Sequence, residues 1–204
     1  MKTAVVYDIK KRQAAGLADW LEQHGYQVIR QREEQGERIP GSDRGIAVDL
    51  LVVQIDASYE GEDAQAGTAR DYEAMLDVVS RKIYEAFAVV DEWLPALEKG
   101  QGKRIAFLTE RCASIRECKD KGQYARHMIL AGVNMQAKLL YNRLRKEGYV
   151  MRCFAMDDPE EGGYGISCGD YITMDFCYDE QEPYIHSEEN RFVMRDSAFR
   201  EISW

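Results

Sequence analysis

The residue types most often used for nucleophilic and metal chemistry are few in this chain and lie apart along it. His24, His127 and His186 have no acidic or cysteine residue at the sequence spacing of metal ligands, so each is interpreted as a surface or helix-end histidine. Cys112 follows a predicted strand end, where a nucleophile could lie, but no general base accompanies it. The spacing therefore predicts neither a metal site nor a cysteine nucleophile.

Two charged segments stand out, and one of them could contact a ligand. Lys10, Lys11 and Arg12 follow the first predicted strand and could hold a phosphate through their side chains, the alternative being a solvated basic turn. Residues 157–161 contain four acidic side chains beside a Gly-Gly-Tyr-Gly stretch. They resemble neither a calcium loop nor a pair of catalytic carboxylates, and we interpret them as a solvated flap.

Apolar strand patterns alternate with helical patterns along most of the chain. The short β-branched runs predict buried strands at residues 3–7, 26–30, 48–54, 105–108 and 150–154. Residues 14–21 predict a helix that ends near Gly25, and longer apolar stripes predict helices over 72–97 and 124–146. This alternation predicts a parallel sheet with helices on both faces, and residues 192–194 predict an edge strand.

Composition limits the function classes. A net charge of −9 and a pI near 5.0 argue against nucleic acid as a partner. The five cysteines are odd in number and form no Cys-x-x-Cys pair, which predicts reduced thiols. No segment has the pattern of a signal peptide or a membrane span, so we expect a soluble, cytoplasmic protein without membrane partners.

Several segments together are similar to one known family. The helix and strand over 131–152, the strand over 49–54, the stretch over 93–108 and the terminal stretch over 195–204 resemble the short-chain dehydrogenase/reductase (SDR) family, in the family's order. The resemblance implies one Rossmann-like domain over 1–204, a three-layer αβα sandwich. Residues 31–47 are too few for the family's additional strand on the adenine side, so we expect a truncated, mostly parallel sheet, with 156–190 as a substrate-side flap.

The resemblance also implies where an NAD(P) cofactor would lie. Three glycines of the family's first strand-to-helix turn fall on Asp8, Arg12 and Ala14, so side chains stand where backbone amides should approach the pyrophosphate. The end of the second strand carries Arg30 and Arg32 in place of an acidic residue. Gln54-Ile55-Asp56 replaces the family's Asn-Ala-Gly. We therefore expect NAD(P) to bind poorly.

The catalytic positions of the family are replaced in the same way. Its tyrosine falls on Arg126, its lysine on Leu130, its serine on Ala113 and its asparagine on Lys82, so the proton donor and the group that tunes its pKa are both missing. Ser114 and Tyr124 lie one and two residues from the serine and tyrosine positions and are the two candidates for a rearranged site.

Three functional hypotheses follow. The favoured one is a degenerate SDR-like protein, a pseudoenzyme that binds a partner or ligand, with helices 72–97 and 124–144 forming a homodimer or tetramer. The alternative is an NAD(P)-dependent oxidoreductase with a rearranged active site that uses Tyr124 and Ser114. A third is a cleft rebuilt with Asp8, Asp56, Lys82 and Arg126, whose two acids and two bases would suit an anionic or zwitterionic small molecule.

Overall fold

The computed structural model describes residues 1–7, 12–31, 45–59, 72–156, 169–170, 172 and 191–204. Several of the predicted features lie outside these ranges: Asp8, the basic residues 10 and 11, Arg32, His186 and the acidic stretch over 157–161. Most of the expected flap over 156–190 and of the shortened region over 31–47 is also outside them, and so is the side chain of Arg12.

Ten helices and strands form in the described ranges, nine of them where the sequence patterns indicate one. In chain order they are β1 (Thr3–Tyr7), α1 (Arg12–Gln23), β2 (Gln27–Gln31), β3 (Leu50–Gln54), α2 (Tyr72–Lys99), β4 (Arg104–Thr109), α3 (Tyr124–Leu144), β5 (Val150–Ala155), β6 (Met194–Asp196) and β7 (Glu201–Ile202). α1 ends two residues before Gly25, whose φ of +84° is the left-handed conformation that glycine adopts without strain.

The strands form one seven-stranded sheet in the order β2-β1-β3-β4-β5-β6-β7. All neighbours are parallel except β6 and β7, which confirms the predicted mostly parallel α/β fold. Within the described ranges β2 pairs with β1 alone and forms the outer strand. No described strand occupies the adenine-side position that the resemblance implies beyond it.

The far edge of the sheet corrects one prediction. The strand expected at residues 192–194 begins at Met194, and it is not the edge, because β7 pairs with it in antiparallel register through Met194 with Ile202. β7 has only two residues, too few to show an alternating pattern in the sequence. The turn between these strands places Phe199 at a φ of +61°.

The helices form two layers around the sheet. α1 packs on one face with its buried side chains Ala14, Leu17, Ala18 and Leu21, and the other face is covered by α2 and α3, which also pack against each other. The central strands β1, β3 and β5 are buried along their whole length, as parallel strands covered on both faces should be. No helix in the described ranges combines the length and the apolar character that crossing a membrane requires.

Candidate functional site

A cavity of about 550 Å³ opens at the carboxyl edge of the sheet. Its described lining comes from four places: Gln13 in the first turn of α1, residues 54, 55 and 57–59 at and after the end of β3, Glu110 directly after β4, and the start of α3 with Arg126. β1 has β2 as its neighbour on one side and β3 on the other, so the direction in which strands are added reverses between β1 and β3. The cavity lies at this switch point, where ligands bind in open parallel sheets. We therefore take it as the candidate site.

A larger cavity of about 770 Å³ lies at the opposite, amino-terminal edge. Asp49 beside it accepts hydrogen bonds from the backbone amides of Thr3, Gln101 and Gly102 at 2.9, 3.0 and 3.1 Å. This carboxylate fastens the turn before β4 to the start of β1, which is a structural role. Because position at the carboxyl edge outweighs volume in this fold, the smaller cavity is the functional candidate.

The side chain of Gln54 lines the cavity and lies between β3 and α1. Its Oε1 accepts a hydrogen bond from the backbone amide of Ala14 at 3.2 Å, and its Nε2 donates to Oε1 of Gln13 at 2.7 Å. Ala14 is the third residue of α1 and has no exposed surface. Free amides in the first turn of a helix are the groups that bind phosphates, and here one of them already has a side-chain partner.

Lys82 belongs to a charged network that reaches Tyr7, the last residue of β1. Its Nζ donates to Oε2 of Glu85 at 3.0 Å, and Oε1 of the same carboxylate accepts from the hydroxyl of Tyr7 at 3.0 Å. Lys82 is buried, and it is not among the described residues that line the cavity. The structure thus gives this lysine a carboxylate partner on its own helix.

Arg126 provides the positive charge in the cavity wall. Its NH2 group forms an ion pair with Oε2 of Glu110, and its NH1 group donates to Oε1 of Gln123 at 2.8 Å. The side chains of Arg126 and Glu110 are 39% and 36% exposed, so both reach solvent and the cavity. A paired acid and base of this kind can present either charge to a small molecule.

The other residues at predicted catalytic positions lie in the core or point elsewhere. Leu130 and Ala113 are buried apolar side chains. The hydroxyl of Ser114 donates to the backbone carbonyl of Ser203 and accepts from the amide of Glu117, so it fastens the C-terminal segment. Tyr124 is exposed at the start of α3, and neither it nor Ser114 is among the described residues that line the cavity.

Arg30 and Asp56, two positions where the resemblance implies cofactor contacts, contact other residues of this chain instead. Arg30 forms ion pairs with Asp19 at 2.6 Å and Glu22 at 2.8 Å on α1. The hydrogen bonds that this guanidinium donates to Glu22 and Asp19 raise its pKa. Oδ1 of Asp56 accepts from the amide of Ser58 at 3.0 Å, which stabilises the turn after β3.

The sequence spacing did not predict one cluster of possible metal ligands. Cys112, in a 3-10 turn after β4, lies with Asp120 and His127 so that their ligand-type atoms are all within 4.8 Å of one another. Burial and the neighbouring Glu110 carboxylate raise the pKa of the Cys112 thiol to about 12, which disfavours a metal-free thiolate nucleophile. The three residues belong to different segments, so only the fold brings them together.

Comparison with solved structures shows the fold shared with SDR proteins. A short-chain dehydrogenase/reductase from Burkholderia multivorans with bound NADP superposes with a TM-score of 0.72 and 11% identity, covering 100% of this chain and 99% of that one. The carbonyl reductase Sniffer of D. melanogaster has a TM-score of 0.68 at 12% identity, covering 100% of both chains. A halohydrin dehalogenase bound to ethyl (2S)-oxiran-2-ylacetate has a TM-score of 0.67 at 16% identity, covering 97% of each chain. Identities this low establish the fold alone.

Sequence comparison adds a shorter match. The C-signal of Myxococcus xanthus is 32% identical over 80 residues, which cover 39% of this chain and 48% of that protein. The matched segment therefore spans about half the length of that relative. No family model matches the chain.

Proposed function

We propose that this chain is a degenerate SDR-fold protein that binds a small anionic or zwitterionic molecule in the 550 Å³ cavity and has no dinucleotide-dependent redox activity. The observation that carries the proposal is the hydrogen bond from the Ala14 amide to Gln54, because it uses a first-turn amide that a pyrophosphate would need. The cavity volume is in the range of small-molecule sites.

The ion pair in the cavity wall supports the ligand class. Arg126 and Glu110 are both more than a third exposed, and a pair of that kind contributes only about 0–1 kcal/mol to stability. A ligand carboxylate can therefore replace Glu110 on the guanidinium at little cost. A ligand that also carries an ammonium group would satisfy the released carboxylate, so a zwitterion matches both charges.

The solved structures that share this fold indicate that the role has to be inferred from the site and not from the fold. The same architecture occurs in a carbonyl reductase and in a halohydrin dehalogenase, so it does not fix one chemistry. The Myxococcus xanthus relative is named as a signal and not by a reaction, which is compatible with ligand sensing or partner binding. A second candidate function, an NAD(P)-dependent oxidoreductase with a rearranged site, is favoured by the neighbour with bound NADP.

The ligand proposal is tested by what remains bound after purification. Native mass spectrometry of the wild-type chain is expected to show an added small molecule, and Arg126→Gln is expected to weaken its binding by about 10–100-fold, since one charge-assisted contact is lost. Arg143→Gln, an exposed arginine at the end of α3, is the matched control and should retain the ligand. Equal occupancy in wild type and Arg126→Gln would contradict the assignment of this cavity.

A rebuilding experiment separates the two candidate functions. The double substitution Arg126→Tyr with Leu130→Lys restores the family's catalytic pair in sequence, but Gln54 still holds the Ala14 amide. We expect no oxidation of NADPH with carbonyl substrates above the rate without protein. Because Leu130 is buried, the variant's folding is checked by circular dichroism, with Arg126→Tyr alone as the milder control. Turnover by either folded variant would favour the oxidoreductase.

We also propose a homodimer or tetramer formed through α2 and α3. Seven of the ten large apolar side chains exposed in the described residues lie on these two helices. Met135 and Leu139, one turn apart on α3, are 61% and 59% exposed. A contact between such faces would bury them in an isologous interface.

Light scattering after size exclusion tests the interface. The wild type should elute with at least twice the 23.4 kDa mass of one chain. Leu139→Glu should shift it to monomer, because an unpaired carboxylate would be buried at the contact. Gln23→Glu, exposed on α1 at the other face of the sheet, should leave the mass unchanged. A monomeric wild type at micromolar concentration would exclude this interface.

A further inference from the structure

We propose that Cys112, Asp120 and His127 form a binding site for a zinc-class divalent cation. One sulfur, one imidazole nitrogen and one carboxylate oxygen lie within 4.8 Å of one another, and Nε2 of His127 is 3.2 Å from Oδ2 of Asp120. Ligands that surround Zn²⁺ tetrahedrally at 2.0–2.3 Å are separated from one another by roughly 3.3–3.8 Å. The three groups therefore need to approach by only about 1 Å to hold such an ion.

The state of His127 is the second observation that points to an ion. Its side chain is only 18% exposed, and both ring nitrogens are inaccessible to solvent. Neither nitrogen has a partner with hydrogen-bond geometry among the described residues, although Nε2 lies at ion-pair distance from Asp120. Buried polar atoms without a hydrogen bond are uncommon in folded proteins, and an ion is one of the partners that satisfy them.

The donor set favours zinc over the alkaline-earth cations. Thiolate and imidazole are ligands of Zn²⁺ and Co²⁺, whereas Mg²⁺ and Ca²⁺ take oxygen ligands. Binding displaces the proton of the Cys112 thiol, which leaves as the sulfur–metal bond forms. Asp120 is 53% exposed, which gives the ion an entry path from solvent.

The ligands are held by elements that also shape the cavity. Cys112 lies in the turn after β4 and His127 in the first turn of α3, while Asp120 lies in the connection between them. The Cys112 thiol donates to Oε2 of Glu110 at 3.5 Å, and Glu110 lines the cavity. Three protein ligands leave one coordination position for water or a ligand atom. The ion would lie next to the cavity wall, because its ligand Cys112 contacts the lining residue Glu110. This inference does not depend on the proposed function.

Cobalt spectroscopy on the full-length chain tests the site. After chelator treatment, Co²⁺ should give a near-ultraviolet sulfur-to-metal charge-transfer band with one ion per chain, and Zn²⁺ should displace it. Cys112→Ser should abolish the band, and Asp120→Asn and His127→Gln should each weaken Zn²⁺ binding by at least ~10-fold. Cys118→Ser is the matched control, since Cys118 is a free cysteine in the same connection outside the cluster, and it should retain the band.

Two results would overturn the site. One is a wild type that binds Zn²⁺ no more tightly than Cys112→Ser. The other is a band that survives Cys112→Ser and is lost in Cys118→Ser. Because a substitution could perturb folding, X-ray absorption of the zinc-loaded wild type gives an independent reading. It should show one sulfur and at least one imidazole around the metal, and a shell of oxygen atoms alone would exclude the proposal.

Discussion

Replacing Trp93 by alanine is expected to lower the free energy of unfolding by about 3–5 kcal/mol. Trp93 lies in α2 and has no exposed surface. Its indole Nε1 donates to Oε1 of Gln31 at 2.8 Å, and Gln31 is the buried last residue of β2. The side chain therefore joins α2 to the outer strand of the described sheet through both packing and a buried hydrogen bond.

Trp93→Phe separates these two contributions. Phenylalanine keeps most of the apolar contact but leaves the Gln31 oxygen without its donor, so we expect a loss of about 1–3 kcal/mol. Urea denaturation of the three proteins at one pH measures both differences. A Trp93→Ala variant that loses less than the phenylalanine variant, or a loss below about 1 kcal/mol, would contradict the position assigned to this residue.

Replacing Asp196 by alanine is expected to cost about 2–3 kcal/mol at neutral pH, because several charge-assisted hydrogen bonds are lost. The carboxylate is 1% exposed and accepts from the side chains of Arg111 at 2.7 Å and Arg200 at 2.8 Å. It also accepts from the amides of Ala198 and Arg200 in the turn before β7. Asp196 thus connects β6, the β7 turn and the segment after β4.

The contribution of Asp196 should depend on pH in a defined direction. Burial alone would raise the pKa of Asp196. The hydrogen bonds that it accepts from the side chain and amide of Arg200 and from the amide of Ala198 outweigh burial, so the pKa lies below the ordinary value of 3.8. A lowered folded-state pKa means that the stabilisation is present above the unfolded pKa and is lost as pH falls through the folded one.

Asp196→Asn is the matched variant for this test, since it keeps the shape and removes the charge. Its stability deficit relative to wild type should be constant from pH 5 to pH 7 and should shrink below about pH 4. Urea denaturation across this range measures the deficit. A deficit that does not change on acidification would show that the charge of Asp196 has no stabilising role.

The sequence patterns predicted most of the sheet because its strands are buried on both faces. Such strands are continuous apolar runs, and residues 3–7 and 150–154 were recognisable for that reason. β7 was missed because two residues carry no period, and its pairing depends on the turn that Asp196 holds.

The candidate site was predictable only in part. Strand ends placed Gln54 and Asp56 at the carboxyl edge, but not the bond that Gln54 forms with the Ala14 amide, which joins positions 40 residues apart. The cluster of Cys112, Asp120 and His127 had no signature because its members lie in a turn, a connection and a helix. Contacts of this kind depend on how elements pack, which local sequence does not record.

Titration of the wild-type chain with NADPH, followed by nicotinamide fluorescence, measures whether the chain binds a dinucleotide. With Gln54 holding the Ala14 amide and Arg30 paired to Asp19 and Glu22, we expect no saturable binding in the low micromolar range. Saturable binding in that range, with one nucleotide per chain, would contradict the account.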